Sequence, residues 1–149
     1  MRFALVDRLL SIEPGHRPTA RVVFPPTLEI FEDHFPGQPI VPGTLLTEGM
    51  GQTAGWLITE MLAFRRWPLL TTIDQAKFYR IVRPGEEIVM TATIGSAREA
   101  AFEAHVEAHV DGRRVARARL LFQVVELSGG TSDAGWIREA FAQVGGDAL

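Results

Sequence analysis

The sequence predicts an α+β fold: one long, almost wholly apolar helix with an antiparallel sheet of five or six strands packed on it. Three observations carry this. Residues 44–63 contain Leu45, Leu46, Met50, Trp56, Leu57, Ile58, Met61 and Leu62 and leave no broad polar face, so this helix must be buried nearly all round. From 102 to 110 the even positions are Phe, Ala, Val, Ala, Val and the odd ones Glu, His, Glu, His, the two-residue period of a half-buried strand. The composition is that of an ordinary globular chain, with 149 residues, 46% hydrophobic and 22% charged, enough for one domain with a sizeable core.

Taken in order, residues 3–12 place Leu5, Val6, Leu9 and Leu10 at helical spacing, and Pro14-Gly15 ends that short helix. Residues 17–24 read as a strand that Pro25-Pro26 breaks, because proline cannot donate to a ladder. A short extended piece over 27–30 precedes a loop over 31–43, stiffened by Pro36, Pro39 and Pro42. The long helix follows. Within it Gly49, Gly51 and Gly55 each cost about 1 kcal/mol against Ala, which points to close approach of a backbone or a ligand. Arg65-Arg66-Trp67-Pro68 reads as a turn, and four strands follow at 69–79, 86–94, 100–109 and 113–127, with a turn at Arg83-Pro84-Gly85-Glu86. At Asp111-Gly112 a two-residue hairpin would put the two apolar rows on opposite faces. A three-residue loop pairing 108 with 114 and 106 with 116 keeps them together, and sets Glu103 opposite Arg119. Domain organisation is then 1–127 as the sheet-and-helix domain and 128–149 as a flexible link (128–132) with an amphipathic helix (133–144) capped near Asp133.

A formal charge of -3 argues against nucleic-acid binding, and the absence of cysteine removes disulfides and thiolate chemistry. Asp7 and Arg8 interrupt the N-terminal apolar residues too early for a secretory segment, and no run of eighteen apolar residues exists, so a cytoplasmic protein is expected.

The chemistry concentrates in residues 34–55, HFPGQPIVPGTLLTEGMGQTAG. Between Phe35 and Thr59 the one formal charge is Glu48, an acid that is costly to bury without a reason. His34 on the stiff loop offers a base and Glu48, one turn into the helix, an acid. The unpaired N–H groups near Gly43, just after Pro42, offer donors for a developing oxyanion. Gln52 follows Glu48 on the same helical stripe and can orient the carboxyl. These are the needs of proton abstraction α to a thioester carbonyl. On residues alone, an equally good reading has His34 capping the loop and Glu48 facing a subunit contact.

This stretch closely resembles the signature HFPGxPxxPGxLxxEAxxQ of the 3-hydroxyacyl-acyl-carrier-protein dehydratases of fatty-acid synthesis, a hotdog-fold family; Gly49 replaces the usual Ala. VDRLLSIEPGHR and IDQAKFYRIVRPGEEI resemble that family's flanking segments, so the resemblance covers about residues 5–127. It implies a hotdog fold, a homodimer built through the sheet edge or a higher assembly such as a trimer of dimers, and dehydration of (3R)-3-hydroxyacyl thioesters to trans-2-enoyl thioesters. It also implies that His34 takes the C2 proton, Glu48 protonates the leaving hydroxyl and the Gly43 N–H polarises the carbonyl, with the two catalytic residues supplied by different subunits. No cofactor is implied, the phosphopantetheine arm arriving on the acyl carrier protein. The sequence departs from the family's usual leader before His34, where Glu32 and Asp33 stand, and in its tail after Leu127. The alternatives are a hotdog acyl thioesterase and a non-catalytic acyl-binding or partner subunit.

Phe64 and Trp67 are candidate tunnel-lining residues, as is Trp136 in the terminal helix; Arg65, Arg66, Lys77 and Arg80, with Arg83 and Arg98, are candidate contacts for an acidic carrier protein. His105 and His109 are no metal pair, because four residues of strand separate them by about 13 Å and the alternation points both outward. No metal site is expected.

Overall fold

The structure, a computed structural model, describes residues 4–11, 19–126 and 135–146. Its centre is the predicted long helix, α2 (Gly43–Met61), which follows a four-residue helix α1 (Ile30–Asp33). Around α2 curls one antiparallel sheet of six strands: β1 (Arg8–Ser11), β2 (Thr19–Val23), β3 (Arg66–Phe78), β4 (Glu87–Arg98), β5 (Ala101–Val110) and β6 (Arg113–Glu126), in the order β1-β2-β4-β5-β6-β3. The terminal helix α3 (Gly135–Gln143) completes the described residues. None of the described helices is long and apolar enough to cross a membrane.

The helix is enclosed as its apolar pattern requires. No residue from Leu45 to Glu60 is exposed, and Met50, Ala54 and Ile58 are fully buried. The sheet face beneath it carries Ala92, Ala104, Ala108, Ala116 and Ala118, small side chains that let a helix lie close. Gly49 serves the same end: a Cβ there would come within 3.0 Å of the Met90 methyl. The buried hydroxyls of Thr47, Thr53 and Thr59 donate back to the carbonyls of Gly43, Gly49 and Gly55, each at 2.8 Å, so no polar side-chain atom of the described core lacks a partner.

Several local expectations are corrected. The N-terminal segment is strand, not helix: Leu9 points into the core and Leu10 to solvent, a period of two, and β1 gains a ladder with β2 that an isolated short helix lacks. Residues 27–30 are not extended. They turn, with the Leu28 N–H donating to the Pro25 carbonyl, and α1 takes the first residues of the expected loop. The turn after α2 lies at residues 62–65, where Ala63 and Phe64 have φ of 52° and 60°, so Arg66, Trp67 and Pro68 already belong to β3. Pro68 is tolerated there because β3 is a sheet edge.

The hairpin is the most instructive correction. Asp111 and Gly112 do form a two-residue loop, with φ of 50° and 72°, pairing Val110 with Arg113. Parity is restored by a β-bulge: His109 pairs Arg114, and Ala108 then pairs Ala116, leaving Val115 extra. Both apolar rows share the inner face, and Val115 and Ala116 are both buried. Arg119 consequently faces His105 rather than Glu103, yet its guanidinium reaches Glu103 diagonally at 2.7 Å and Asp74 of β3 at 2.8 Å. The expected link at 128–132 and the Asp133 cap lie outside the described residues.

The Arg83–Glu86 turn is present as expected. The Glu86 carboxylate accepts from Arg80 at 2.9 and 3.2 Å and from the Arg83 N–H at 2.6 Å, and Gly85 takes φ of 86°. The Arg80 hydrogen bond, seconded by the Arg83 N–H, holds the Glu86 carboxyl below its ordinary range. A carboxyl lowered on folding stabilises above its unfolded pKa, and that contribution is lost as pH falls through the folded value. Glu86→Gln should therefore lower the melting temperature at pH 7, and the gap to the unmutated protein should close on acidification; a gap unchanged by pH in thermal melts would contradict this role.

Candidate active site

Each residue singled out from the sequence has a definite place. His34 ends α1, its N–H donating to the Ile30 carbonyl at 3.0 Å and its carbonyl accepting from Ile40 at 3.1 Å. The ring is half-buried and stacks on Phe35, centroids 4.4 Å apart. Proline-fixed chain then carries the backbone to α2, with the Val41 N–H tied to the Val82 carbonyl at 2.8 Å. Pro42 is the N-cap of α2 and offers no side-chain cap; its carbonyl accepts from the Leu45 and Leu46 N–H groups, and the earlier N–H groups of Gly43 and Thr44 have no intrahelical acceptor. The Phe78 ring lies against Gly43, where a Cβ would meet it at 2.9 Å, so a larger residue there would have to displace that ring.

Glu48 lines a cavity of about 390 Å³ between α2, β3 and α3. Its carboxylate accepts from the Gln52 amide at 3.0 Å, and the Gln52 carbonyl oxygen accepts from the Leu5 N–H at 2.8 Å. This relay answers the cost of the acid: Gln52 orients it, and the N-terminal segment orients Gln52. Val6, Leu69, Leu70, Phe122, Trp56, Trp67 and Trp136 make the other walls largely apolar, and Glu48 is the one charged residue among the described lining.

Within one chain the structure does not bring the full set together. His34 lines no part of the Glu48 cavity, and no hydrogen bond joins the two among the described residues. Gly43 borders a separate cavity of about 360 Å³ with Ile40, Phe78, Tyr79 and Arg80. Gln52 and Trp67 do join Glu48; Phe64 does not, and packs behind, its ring 4.9 Å from Phe141.

The candidate carrier contacts divide. Arg65, Lys77, Arg80, Arg83 and Arg98 are exposed, with Arg80 paired to Glu86 at 2.9 Å, whereas Arg66 is half-buried and donates to the Glu99 carbonyl at 3.2 Å. His105 and His109 lie on the outer sheet face beside Glu103 (2.9 Å) and Glu107 (3.8 Å), and the described residues contain no metal-binding cluster. Sequence reasoning missed Ala140 and Gly55 as cavity lining. Gly55 was read, with Gly49 and Gly51, only as a general sign of close approach by a backbone or ligand, and Ala140 carried no signal beyond its helical stripe.

Comparison with known proteins places these features in context. The description "ApeI dehydratase" belongs to an ApeI-like family model that matches residues 11–114. A 3-hydroxyacyl-[acyl-carrier-protein] dehydratase FabZ of Oenococcus oeni is 34% identical over 121 residues, covering 80% of this chain and 87% of that protein. The dehydratase heterocomplex ApeI:P from Xenorhabdus doucetiae superposes with a TM-score of 0.60 at 18% identity, over 77% of this chain and 96% of the other. A hypothetical thioesterase with coenzyme A from Streptococcus pneumoniae superposes with a TM-score of 0.62 at 10% identity, over 82% and 90%. At such identities the structures establish the hotdog fold and nothing finer.

The glycines give a stability test of the cavity. A Cβ on Gly55 meets nothing within 4 Å, whereas one on Gly49 must displace Met90. Gly55→Ala should raise stability by about 0.5–1 kcal/mol in urea denaturation through helix propensity, and Gly49→Ala should gain less or lose. Equal gains at both positions would show that Met90 yields freely.

Proposed function

Because the chain belongs to the 3-hydroxyacyl-acyl-carrier-protein dehydratase family, we propose that it removes water from (3R)-3-hydroxyacyl thioesters to give trans-2-enoyl thioesters, in fatty-acid or related acyl-chain synthesis. The observation that carries this reading is Glu48: a single acid, held by Gln52, in the wall of an otherwise apolar cavity. An apolar cavity accepts the acyl chain, and the acid stands where the chain's 3-hydroxyl must lose its C3–O bond.

The steps balance on protein groups. The His34 imidazole takes the C2 proton; the electron pair forms the C2–C3 double bond; the C3–O bond breaks with the Glu48 carboxyl donating its proton, so water leaves. The carbonyl oxygen, where charge develops, is met by the Gly43 N–H at the open N-terminus of α2. A proton returned from imidazolium to carboxylate through water restores both groups. The phosphopantetheine arm arrives with the carrier-bound substrate, and Arg65, Lys77, Arg83 and Arg98 are exposed cations that would steer an acidic carrier.

The separation of His34 from the Glu48 cavity favours a site completed by a second copy. Apolar side chains wait at the β3 edge and beside it: Leu69, Ile73, Phe78 and Ile81 are 45–58% exposed, and Phe35, stacked on His34, is 54% exposed. In this reading His34 of each subunit faces Glu48 of the other.

Mass spectrometry of a 3-hydroxyacyl thioester incubated with the protein, alongside thiol release, decides the reaction: loss of water without thiol is expected, and thiol release without dehydration would favour the thioesterase. His34→Ala and Glu48→Gln should each lower the rate by about 10²–10⁴-fold. Mixing the two inactive proteins under exchange conditions should restore activity toward about a quarter of normal, since half the random dimers are hybrids with one intact site of two. No recovery, with subunit exchange verified, would place both residues of a site on one chain.

A further inference from the structure

The residues that line the cavity with Glu48 are ordered along α2. Gly43 lies against Phe78, Gly51 against Leu70 and Trp56 against Trp67, so α2 and β3 run side by side in opposite senses. Glu48, Gly51, Gln52, Gly55 and Trp56 follow one another at three- and four-residue spacing down one face of α2. The polar pair, Glu48 and Gln52, stands at one end of that row. Tryptophan stands at the other: the Trp56 and Trp67 rings meet edge-on at 6.1 Å, and Trp67 meets Trp136 of α3 at 5.2 Å.

The helix α3 is a built wall of this space. Trp136, 51% exposed, and Ala140 line it, one turn apart. Ile137, fully buried, and Phe141, 5.7 Å from Trp56 and 4.9 Å from Phe64, anchor the helix from behind. Arg138 lies over the Phe64 ring at 4.6 Å. Gly51 and Gly55 supply the room in the middle, where a Cβ on Gly55 would touch nothing within 4 Å.

Resting on the dehydratase reading, we propose that α3 closes the acyl slot and that Trp136 with Ala140 sets the longest chain the protein accepts. Eight residues of helix from Glu48 to Trp56 span about 12 Å. The ring that ends the slot takes about 4 Å of contact distance. About 8 Å remains, or roughly seven bonds at the ~1.2 Å per bond of an extended chain. With C3 at Glu48, the slot holds an acyl chain of about ten carbons.

The chain has three tryptophans, and all three line this cavity, so intrinsic fluorescence reports its occupancy. The test titrates the full-length protein with saturated pantetheine thioesters of four to sixteen carbons, which lack the 3-hydroxyl and cannot be dehydrated. Kd should fall about fourfold for each added methylene up to about ten carbons and then stop falling. Ala140→Phe should move the break to shorter chains by two carbons or more, and Trp136→Ala should move it to longer ones. The two variants push in opposite directions, so loss of fold, checked by circular dichroism, cannot imitate the pair. An unbroken fall to sixteen carbons, or one break shared by all three proteins, overturns the proposal. A break that moves as stated, with no water lost from any 3-hydroxyacyl thioester, sustains the slot and sinks the dehydratase; water loss with an unmoved break does the reverse.

Discussion

A helix normally leaves one side in water. Between Leu45 and Glu60 no residue of α2 is fully exposed, and the shape of everything else follows from replacing most of that water with protein. A flat sheet covers one face only, so the six strands curl, and the alanines of β4, β5 and β6 let the curl tighten. Where glycine meets a neighbour, as Gly49 meets Met90, the wrapping is closed. Where it meets nothing, as at Gly55, the wrapping leaves the space that Glu48 enters. Enclosure and cavity are therefore one packing problem solved differently along a single helix.

The polar chemistry of the outer face is kept apart from this interior. Arg119 ties Asp74 of β3 to Glu103 of β5 across β6, and His105 adds to Glu103 at 2.9 Å. The Arg119 hydrogen bond, followed by that from His105, holds the Glu103 carboxyl below its ordinary range. These groups are solvated and contribute modestly as a stability term. They also join three strands, since the bridge runs from β3 through β6 to β5.

Much of this was legible in the residues. The absent polar face of 44–63 and the alternation of 102–110 stated the helix, the strands and the inner face, because burial writes directly into hydrophobic period. Four residues around Leu9 and Leu10 fit either period, so only the partner strand β2 decides them. The hairpin shows a finer limit: parity correctly required the apolar rows of β5 and β6 to share a face, but a longer loop and a bulge satisfy it equally, and the energy of Asp111-Gly112 in a tight turn chose the bulge. The site followed the same division. The candidates His34, Glu48, Gly43 and Gln52 were singled out by a motif, and the Glu48–Gln52 contact was legible from helical spacing. That Leu5 completes the relay, that His34 lies away from the Glu48 cavity, and that Ala140 lines it are facts of packing between distant segments, which no local pattern encodes.

The irregularities of β3 have a consequence for who can join it. Its register against β6 slips once between Leu70 and Thr72 and again between Asp74 and Lys77, with Gln75 at φ of 54°. An open edge of thirteen residues bearing Leu69 and Ile73 would otherwise be a template for any extended chain, including the unfolded segments abundant during synthesis. Two interruptions break that template into shorter runs. Irregularity of this kind is one of the devices by which an exposed edge is blunted against indiscriminate pairing.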